Sequence, residues 1–207
     1  IGGGFMAHAI LKGVVYSDFL KAKKIIVSDP SAASLEKLTY LGVCTTANNR
    51  DVVENSEFIL LAVKPQNFAD VAASVRGLPV EKVITIMAGV KKQKIKDALF
   101  GNNIKVARAM PNLPCSIGSG MTAVDMSDFS NNIDDSAFVN SVFSCLGNVL
   151  SVPEEKLNAV TGISGSGPAY VYMFIDGLIR AGIKQGLTED EAKTLAVSTV
   201  FGGADMV

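Results

Sequence analysis

The sequence has 207 residues, of which 48% are hydrophobic and 19% charged, and its net charge at pH 7 is −1. A chain of this size can form one large or two small domains with buried cores. The balanced charge and the lack of a Lys/Arg stripe argue against a nucleic-acid partner. The four lysines in the segment 91–96 have helical spacing, and we interpret them as the solvated face of a helix: Lys91, Lys92, Lys94 and Lys96.

The sequence gives little support for disulfides, a metal site or a membrane span. Three scattered cysteines without a C-x-x-C pair favour reduced thiols, a cytoplasmic location and no metal. A single His and no Trp argue against His-based metal or triad chemistry. We expect no signal peptide. The most apolar stretch, 168–183, contains Asp176 and Arg180 and is shorter than the roughly 20 apolar residues of a membrane span, so we expect a buried helix.

Apolar runs of strand length alternate with amphipathic stretches in the first three quarters of the chain. Several runs are continuously apolar, as in strands that are buried on both faces. Such alternation predicts βαβ units and a mostly parallel sheet with helices on both faces. The predicted strands are 25–27, 58–63, 83–88, 105–110 and 121–126. The predicted helices contain Leu35, Leu38 and Leu41, then 68–75, then 95–99.

The pattern changes after residue 152, where no further strand is predicted. Pro168 is suited to the first turn of a helix that ends at Gly182 or Gly186. Thr188 and Glu191 have the spacing of a capping box that opens another helix. We therefore predict an α/β domain over 1–152 and the start of a helical domain over 153–207. We expect the natural chain to extend beyond both ends.

The segment Gly2-Gly3-Gly4-Phe5-Met6-Ala7 fits the dinucleotide fingerprint G-x-G-x-x-A of a Rossmann-type, doubly wound sheet. Gly2 would permit the tight turn, Gly4 would let a pyrophosphate approach the backbone, and Ala7 would let the helix pack against a strand. The free N–H groups of the following helix would face the phosphates. An ordinary Gly-rich turn is the alternative, because glycine clusters are common in loops.

Three further loops follow predicted strands, where open parallel sheets bind ligands. Asp29 lies about 20 residues after the glycine turn, as expected for the acidic residue that binds a ribose hydroxyl, although it could instead cap a helix. Its carboxylate favours NADH, but Ser28 and Ser31 could still bind a 2′-phosphate, so the choice between NADH and NADPH stays open. Lys64 and Pro65 form the second loop, in which Lys64 could also be an ordinary surface residue. In the third loop, Ala88-Gly89, Gly89 would let the backbone approach a nicotinamide.

Four segments together resemble pyrroline-5-carboxylate reductases, and the likeness covers essentially the whole chain. The most specific are S-G-S-G-P-A-Y at 164–170 and the D-G-x-x-x-A-G pattern at 176–182, accompanied by A-V-K-P-Q at 62–66 and M-P-N-L-P at 110–114. The resemblance implies a Rossmann domain followed by a helical dimerisation domain. It also implies reduction of Δ1-pyrroline-5-carboxylate to L-proline with NADPH or NADH, the last step of proline synthesis, by a homodimer or a higher homo-oligomer.

The resemblance also implies roles for individual residues. Substrate or nicotinamide contacts are implied for Asn112, Glu154 and Ser166. A later family signature, a Ser-Pro-Gly-Gly-Thr-Thr-like loop that holds the substrate carboxylate, does not occur in residues 1–207, and we expect it beyond them. The positions that match cofactor-contacting residues are Gly3, Phe5, Met6, Asp29, Asn49, Val63, Lys64 and Ala88.

The chemistry of an imine substrate requires few ionisable residues, because the cofactor carries the difficult step. No catalytic residue is assigned, and His8 is either catalytic or a helix-packing residue. A β-hydroxyacid dehydrogenase would need a general base, supplied in that family by a Lys on the helix after a Gly-rich segment, and the helix from Pro168 has none there. A deazaflavin-dependent NADP reductase is also similar at the N-terminus but would not explain the 164–170 segment, and a nucleotide-sensing scaffold protein stays open as an alternative.

The apolar residues of 168–207 lie on more than one helix face, which predicts a homodimer through these helices. Further helices of the same chain could instead cover them.

Overall fold

The computed structural model describes residues 1–99 and 103–207, which divide into two units, Ile1–Gly165 and Ser166–Val207. Among the described residues, strands occur in the first unit and the second unit is helical. The domain boundary after residue 152 stays a prediction.

The strands and helices have the following bounds. The strands are β1 (Ile26–Ser28), β2 (Cys44–Thr46), β3 (Phe58–Leu61), β4 (Lys82–Thr85), β5 (Lys105–Met110), β6 (Gly120–Asp125) and β7 (Gly147–Ser151). The helices are α1 (Phe5–Tyr16), α2 (Ala32–Glu36), α3 (Asn49–Glu54), α4 (Phe68–Ser74), α5 (Lys92–Ala98), α6 (Ile133–Ser144), α7 (Leu157–Val160), α8 (Gly167–Lys184) and α9 (Glu189–Asp205).

The strands pair mostly in parallel, as predicted. β1 pairs with β2, and β3, β4 and β5 follow one another, all in parallel. β6 runs antiparallel to β5, and β7 is parallel to β6. Two residues connect the two groups of strands: Ile1 N donates to Leu60 O over 2.7 Å, and Gly2 N donates to Ser28 O over 2.8 Å. Ile1 and Gly2 therefore lie between β1 and β3.

Helices cover both faces of this sheet. Alternate residues of each strand point to opposite faces, and both sets contain apolar residues that need to be buried. Val83 and Val106 face one side, where they pack with residues of α3, α4 and α5. Ile84 and Ala107 face the other side, where they pack with residues of α1 and α6. Each fully buried aliphatic side chain of this kind stabilises the fold by about 1.5–3 kcal/mol. The doubly wound Rossmann-type fold predicted from the sequence is confirmed.

All five predicted strands are found within three residues of their expected ends, and 105–110 matches at both ends. The predicted strands 58–63 and 83–88 end earlier, at Leu61 and Thr85, because their last apolar residues form loops. The sequence did not indicate β2 and β7, which lie at the edges of the sheet and are largely exposed, so they lack a continuous apolar run. The helix predicted around Leu38 is divided into α2 and a 3-10 turn, Thr39–Leu41.

The second unit consists of two helices that approach closely. The expectation of a buried helix over 168–183 is wrong for this chain, because α8 has no buried residue and exposes its large apolar side chains. The capping box is present, since Thr188 Oγ1 accepts from Glu191 N and Glu191 Oε2 accepts from Thr188 N. Of the two predicted stops, Gly186 follows the end of α8 with a φ of 96°, whereas Gly182 lies inside the helix. An added Cβ on Gly182 would lie 3.0 Å from Ala192 Cβ, so a larger side chain at 182 would push α9 away.

Candidate functional site

Loops that carry predicted site residues meet at one edge of the sheet. Asp29 follows β1, Val63 and Lys64 follow β3, and Asn112 follows β5. The loop Ala88–Lys91 follows β4. β3, β4 and β5 are parallel, so their carboxyl ends lie at the same edge, and Ile1 and Gly2 link β1 to β3. Doubly wound sheets bind nucleotides at this edge.

The glycine turn at this edge is sterically constrained. Gly2 has a φ of 96°, and an added Cβ would lie 2.8 Å from Ala62 O and 2.9 Å from Val63 Cγ1. No other residue fits this position without displacing the chain after β3. Gly4, by contrast, has open space where its Cβ would lie. The turn is therefore packed on the side of Gly2 and open on the side of Gly4.

The amino-terminal end of α1 suits an anionic group. No side chain caps this end, and no acidic residue lies in its first turn. The unpaired N–H groups of a helix start and the helix dipole attract phosphate. Phe5 and Met6 are the first two residues of α1; Phe5 is 61% exposed, whereas Met6 packs against the core. The residues present thus fit the pyrophosphate of a dinucleotide.

Asp29 is held against the glycine turn. Its Oδ2 accepts from Gly3 N over 2.8 Å, and its Oδ1 accepts from Ser31 N over 2.8 Å. The cap of α2 is Ser31, whose hydroxyl accepts from Ser34 N, so Asp29 does not cap this helix. Each carboxylate oxygen has a second lone pair, and Asp29 can therefore accept another hydrogen bond.

Asn49 lies in a short chain of side-chain hydrogen bonds. Its Oδ1 accepts from the hydroxyl of Ser28, which is fully buried, and its Nδ2 donates to Ser74 Oγ over 2.9 Å. These bonds connect the end of β1 with α3 and α4. The side-chain amide of Asn49 is therefore fixed beside the loop that begins with Asp29.

The two remaining loops that were predicted to contact the cofactor are exposed. Lys64 precedes a 3-10 turn, Pro65–Asn67, with Pro65 in its first positions. Lys64 and Pro65 are both exposed. Ala88 and Gly89 are exposed as well, and Gly89 has a φ of 73° with open space at its Cβ position. Gly89 therefore offers bare backbone at the edge of the sheet.

Asn112 organises the loop after β5. Its Nδ2 donates to Ser164 O over 3.2 Å, and its Oδ1 accepts from Met121 N over 2.9 Å. These contacts join the M-P-N-L-P segment to the first part of S-G-S-G-P-A-Y within one unit. Ser166 lies in the second unit, at the start of α8.

His8 has a polar partner outside the loops. Its Nε2 lies 2.8 Å from the hydroxyl of Tyr40, and the two rings are tilted at 51° with centroids 5.8 Å apart. This contact fits a packing role on α1 and gives no support for a catalytic one.

A buried ionic network lies beside the loop Ala88–Lys91. We did not predict this network from the sequence. Lys92 is 8% exposed, so its interpretation as part of a solvated face is wrong. Its Nζ donates to Asp125 Oδ1 over 2.7 Å and to Asp128 Oδ1 over 2.9 Å. The spacing of Lys92 and Ile95, which is fully buried, places Lys92 on the inner face of α5 and could have revealed this.

Hydrogen bonding keeps this network charged. Burial alone would lower the pKa of Lys92, but hydrogen bonds to Asp125 and Asp128 outweigh it, and the pKa is raised. Burial alone would raise the pKa of Asp125, but hydrogen bonds from Lys92 and Ser127 outweigh it, and the pKa is lowered. The pKa of Asp128 is lowered in the same way by Lys96 and Lys92.

Glu154 and Arg108 extend the network toward the loops. Glu154 Oε1 accepts from Lys92 N over 2.7 Å and from Arg108 Nη1 over 3.2 Å. Arg108 is 5% exposed. A charged residue among the apolar residues of β5 could have indicated a buried ionic network. Among residues 1–99 and 103–207, no group of three or more His, Cys, Asp or Glu side chains is arranged to hold a metal ion.

The chain resembles known proteins over its whole length. A pyrroline-5-carboxylate reductase from Synechocystis sp. is 41% identical over all of this chain, which covers 77% of that relative. The chain belongs to the pyrroline-5-carboxylate reductase family. A family profile described as pyrroline-5-carboxylate reductase dimerisation matches residues 154–207, and one described as NADP oxidoreductase, coenzyme F420-dependent, matches residues 1–89.

Solved structures of the family have the same fold. A pyrroline-5-carboxylate reductase from Coxiella burnetii aligns with a TM-score of 0.90 at 31% identity, covering 99% of this chain and 77% of that one. A Plasmodium falciparum pyrroline carboxylate reductase with NADP bound aligns with a TM-score of 0.85 at 28% identity, covering 100% and 76%. In the described part of this chain, no helix has the length and apolar character required to cross a membrane.

Proposed function

We propose that this protein reduces the C=N bond of Δ1-pyrroline-5-carboxylate to give L-proline, using NADPH or NADH, as the last step of proline synthesis. The observation that carries the proposal is the 41% identity, over the whole chain, to a curated pyrroline-5-carboxylate reductase. The open glycine turn at the edge of a doubly wound sheet supports a dinucleotide as the cofactor.

The proposed cofactor site uses the loops described above. The pyrophosphate would lie on Gly2, Gly3 and Gly4 with Phe5 and Met6 at its border. The adenosine end would lie near Asp29 and Asn49, and the nicotinamide end near the loops that contain Val63, Lys64, Pro65, Ala88 and Gly89. When bound, the reduced nicotinamide supplies a hydride.

The protein itself has to orient the reactants and exclude water. The substrate already contains the C=N bond, and a protonated imine accepts hydride without a general base on the protein. Asn112 and Ser166 are proposed to contact the substrate side of the site. Glu154, whose Oε1 accepts from Lys92 N and Arg108 Nη1, is proposed to contact the substrate as well.

The preference between the two cofactors depends on Asp29 in this proposal. A carboxylate at the ribose hydroxyls repels the 2′-phosphate of NADPH, so Asp29 supports a preference for NADH. The hydroxyl of Ser28, which could otherwise bind a phosphate, already donates to Asn49. A cytoplasmic location is proposed as well, and the free thiols of Cys44, Cys115 and Cys145 support a reducing compartment.

A homodimer or a higher homo-oligomer is proposed from the second unit. Its two helices expose large apolar side chains, more than a soluble surface usually carries. The most exposed are Tyr170, Met173, Phe174, Leu195 and Phe201. The description of the matching profile over 154–207, which names dimerisation, supports a second copy of the chain as the covering partner.

The experiment is a cofactor-oxidation assay on the full-length protein. Adding Δ1-pyrroline-5-carboxylate should cause rapid loss of NADH or NADPH absorbance, and a 3-hydroxyacid with NAD⁺ or NADP⁺ is the control. Turnover of the hydroxyacid would favour a β-hydroxyacid dehydrogenase, although α8 has no Lys in its first turns. Cofactor binding without turnover of either substrate would favour a nucleotide-sensing protein.

A further inference from the structure

Arg108 is a buried cation near the carboxyl end of β5. It is 5% exposed and lies shortly before the last residue of the strand, Met110. In the antiparallel pair of β5 and β6, Asp125 is directly opposite Arg108. Side chains of opposite residues lie on the same face of a sheet, so Asp125 places a negative charge beside the guanidinium group. A buried guanidinium group is costly without such anionic neighbours.

The second anionic neighbour of Arg108 is Glu154, which begins the 3-10 turn Glu154–Lys156. Glu154 Oε1 accepts from Arg108 Nη1 over 3.2 Å and from the backbone N–H of Lys92 over 2.7 Å. Both donors belong to buried residues, Arg108 in β5 and Lys92 at the start of α5. One oxygen of the carboxylate is therefore fixed by the protein, which restricts the orientation of the whole group.

The other carboxylate oxygen, Oε2, is left for a ligand. Among residues 1–99 and 103–207, the donors to this carboxylate are bonded to Oε1. The side chain of Glu154 is 25% exposed, so a ligand can reach it. Lys92 directly follows the loop Ala88–Lys91, where the nicotinamide is proposed to lie. Glu154 Oε2 is therefore open beside the proposed site of hydride transfer.

The proposed substrate offers one cationic group to such an oxygen. An imine accepts hydride in its protonated form, and the proton on the imine nitrogen can form a charge-assisted hydrogen bond to a carboxylate. The carboxylate of the substrate, in contrast, would be repelled by Glu154. The imine nitrogen is thus the part of the substrate that matches Oε2.

We propose that Arg108 is a positioning residue, which holds Oε1 of Glu154 so that Oε2 accepts the proton of the protonated imine nitrogen. The inference rests on the proposed function, because the contact between Glu154 and the substrate is part of that proposal. Arg108 itself does not touch the substrate and acts through Glu154.

The test is a double-mutant cycle on the full-length protein with Arg108→Met, Glu154→Gln and both together. Each single variant should lower kcat/KM for Δ1-pyrroline-5-carboxylate about ten-fold, the effect of losing one charge-assisted hydrogen bond, mainly by raising KM. The double variant should be no worse than Glu154→Gln alone, because Arg108 acts only through Glu154. The Kd of NADH, measured by calorimetry without substrate, should stay unchanged in all three variants.

Lys82→Met is the control for a purely structural effect. Lys82 forms ion pairs with Asp135 over 2.7 Å and with Glu57 over 2.6 Å, and it begins β4, at the end of the strand opposite to the loop Ala88–Lys91. This variant should lower the free energy of unfolding, measured in urea, and leave kcat/KM unchanged.

Arg108→Lys keeps the cycle informative if Arg108→Met does not fold, because it retains the positive charge inside the sheet. An ammonium group can still donate to a carboxylate but lacks the planar fork of Arg. Arg108→Lys should therefore keep more of kcat/KM than Arg108→Met, and its remaining loss should also disappear in the presence of Glu154→Gln.

Losses that multiply in the double variant would show that Arg108 and Glu154 act independently, which would overturn the proposal. An unchanged kcat/KM in Arg108→Met would overturn it as well. So would a Kd for NADH that rises in proportion to the loss of kcat/KM, because this would indicate a general loss of structure. Failure of the proposed function would be visible separately, since the wild-type protein would then oxidise neither NADH nor NADPH with this substrate.

Discussion

The backbone N–H of Gly3 donates to Asp29 Oδ2 over 2.8 Å, across 26 residues of sequence. This bond joins the glycine turn to the loop after β1. Asp29 therefore both stabilises the turn and places a negative charge beside it. A substitution at this position affects cofactor choice cleanly only if the hydrogen bond is kept.

Asp29→Asn should shift the protein toward NADPH. The amide oxygen of Asn can still accept from Gly3 N, although its NH2 group cannot accept from Ser31 N, and the charge that would repel a 2′-phosphate is gone. We expect the ratio of kcat/KM for NADPH to kcat/KM for NADH to rise about ten-fold, and Asp29→Ser to shift it in the same direction. Steady-state kinetics with both cofactors measures this, with the exposed Asp70→Asn as the control. An unchanged ratio would remove Asp29 from the ribose site.

Gly4→Ala and Gly2→Ala should separate binding from stability. Gly4 has open space at its Cβ position and a φ of −73°, so Ala there should leave the free energy of unfolding nearly unchanged and obstruct the pyrophosphate. Gly2→Ala should lower the free energy of unfolding by about 1–3 kcal/mol, because of its positive φ and the contact with Ala62 O. Urea unfolding and NADH titration measure the two effects. Full cofactor affinity in Gly4→Ala would contradict the phosphate site.

Lys92→Met should destabilise the fold in a pH-dependent way. Removing the ammonium leaves Asp125, whose side chain is 4% exposed, as an uncompensated buried charge, which costs about 3–5 kcal/mol at pH 7. Burial without Lys92 should raise the pKa of Asp125, so that its protonation relieves the cost as the pH falls. The difference in free energy of unfolding between wild type and variant should therefore be smaller at pH 5 than at pH 7.

The wild-type protein should lose stability in acid, because its buried carboxylates become protonated. The lowered pKa values of Asp125 and Asp128 mean that their contribution is complete above the ordinary aspartate pKa of about 3.9 and is lost as the pH falls through the lowered values. The raised pKa of Lys92 means that its contribution is lost only above about pH 10.4. Urea midpoints at several pH values test this, with the exposed Lys94→Met as a control. If Lys92→Met lowered the free energy of unfolding equally at pH 5 and pH 7, the cost would not come from a buried charge on Asp125.

Phe174→Glu should weaken self-association. Phe174 is 61% exposed on α8, and a charge at a dimer interface is costly to desolvate. We expect the dissociation constant of the full-length protein to rise at least about ten-fold, by sedimentation, while Lys193→Glu on α9 leaves it unchanged. A wild-type protein that sediments as a monomer at micromolar concentration would refute the homodimer.

The sequence was sufficient for the central strands and for the family. Continuous apolar runs located β3 and β4, and the glycine spacing identified the fingerprint of the Rossmann fold. These features are local, because strand burial and turn sterics depend on neighbouring residues. The capping box at Thr188 was predictable for the same reason.

The ionic network was not predictable, because it depends on residues that only the fold brings together. Lys92, Asp125 and Glu154 come from α5, β6 and the turn after β7. Local composition made Lys92 resemble a surface lysine, since three further lysines surround it. Only its spacing from Ile95 indicated a buried position. The partners of Asp29 are likewise a product of the fold, since Gly3 lies on a different element.

The most direct measurement is the yield of L-proline per NADH or NADPH oxidised by the full-length protein. Starting from Δ1-pyrroline-5-carboxylate, we expect one L-proline for each reduced cofactor consumed, and no cofactor oxidation without the substrate. Cofactor oxidation without L-proline, or no oxidation at all although NADH binds, would contradict it.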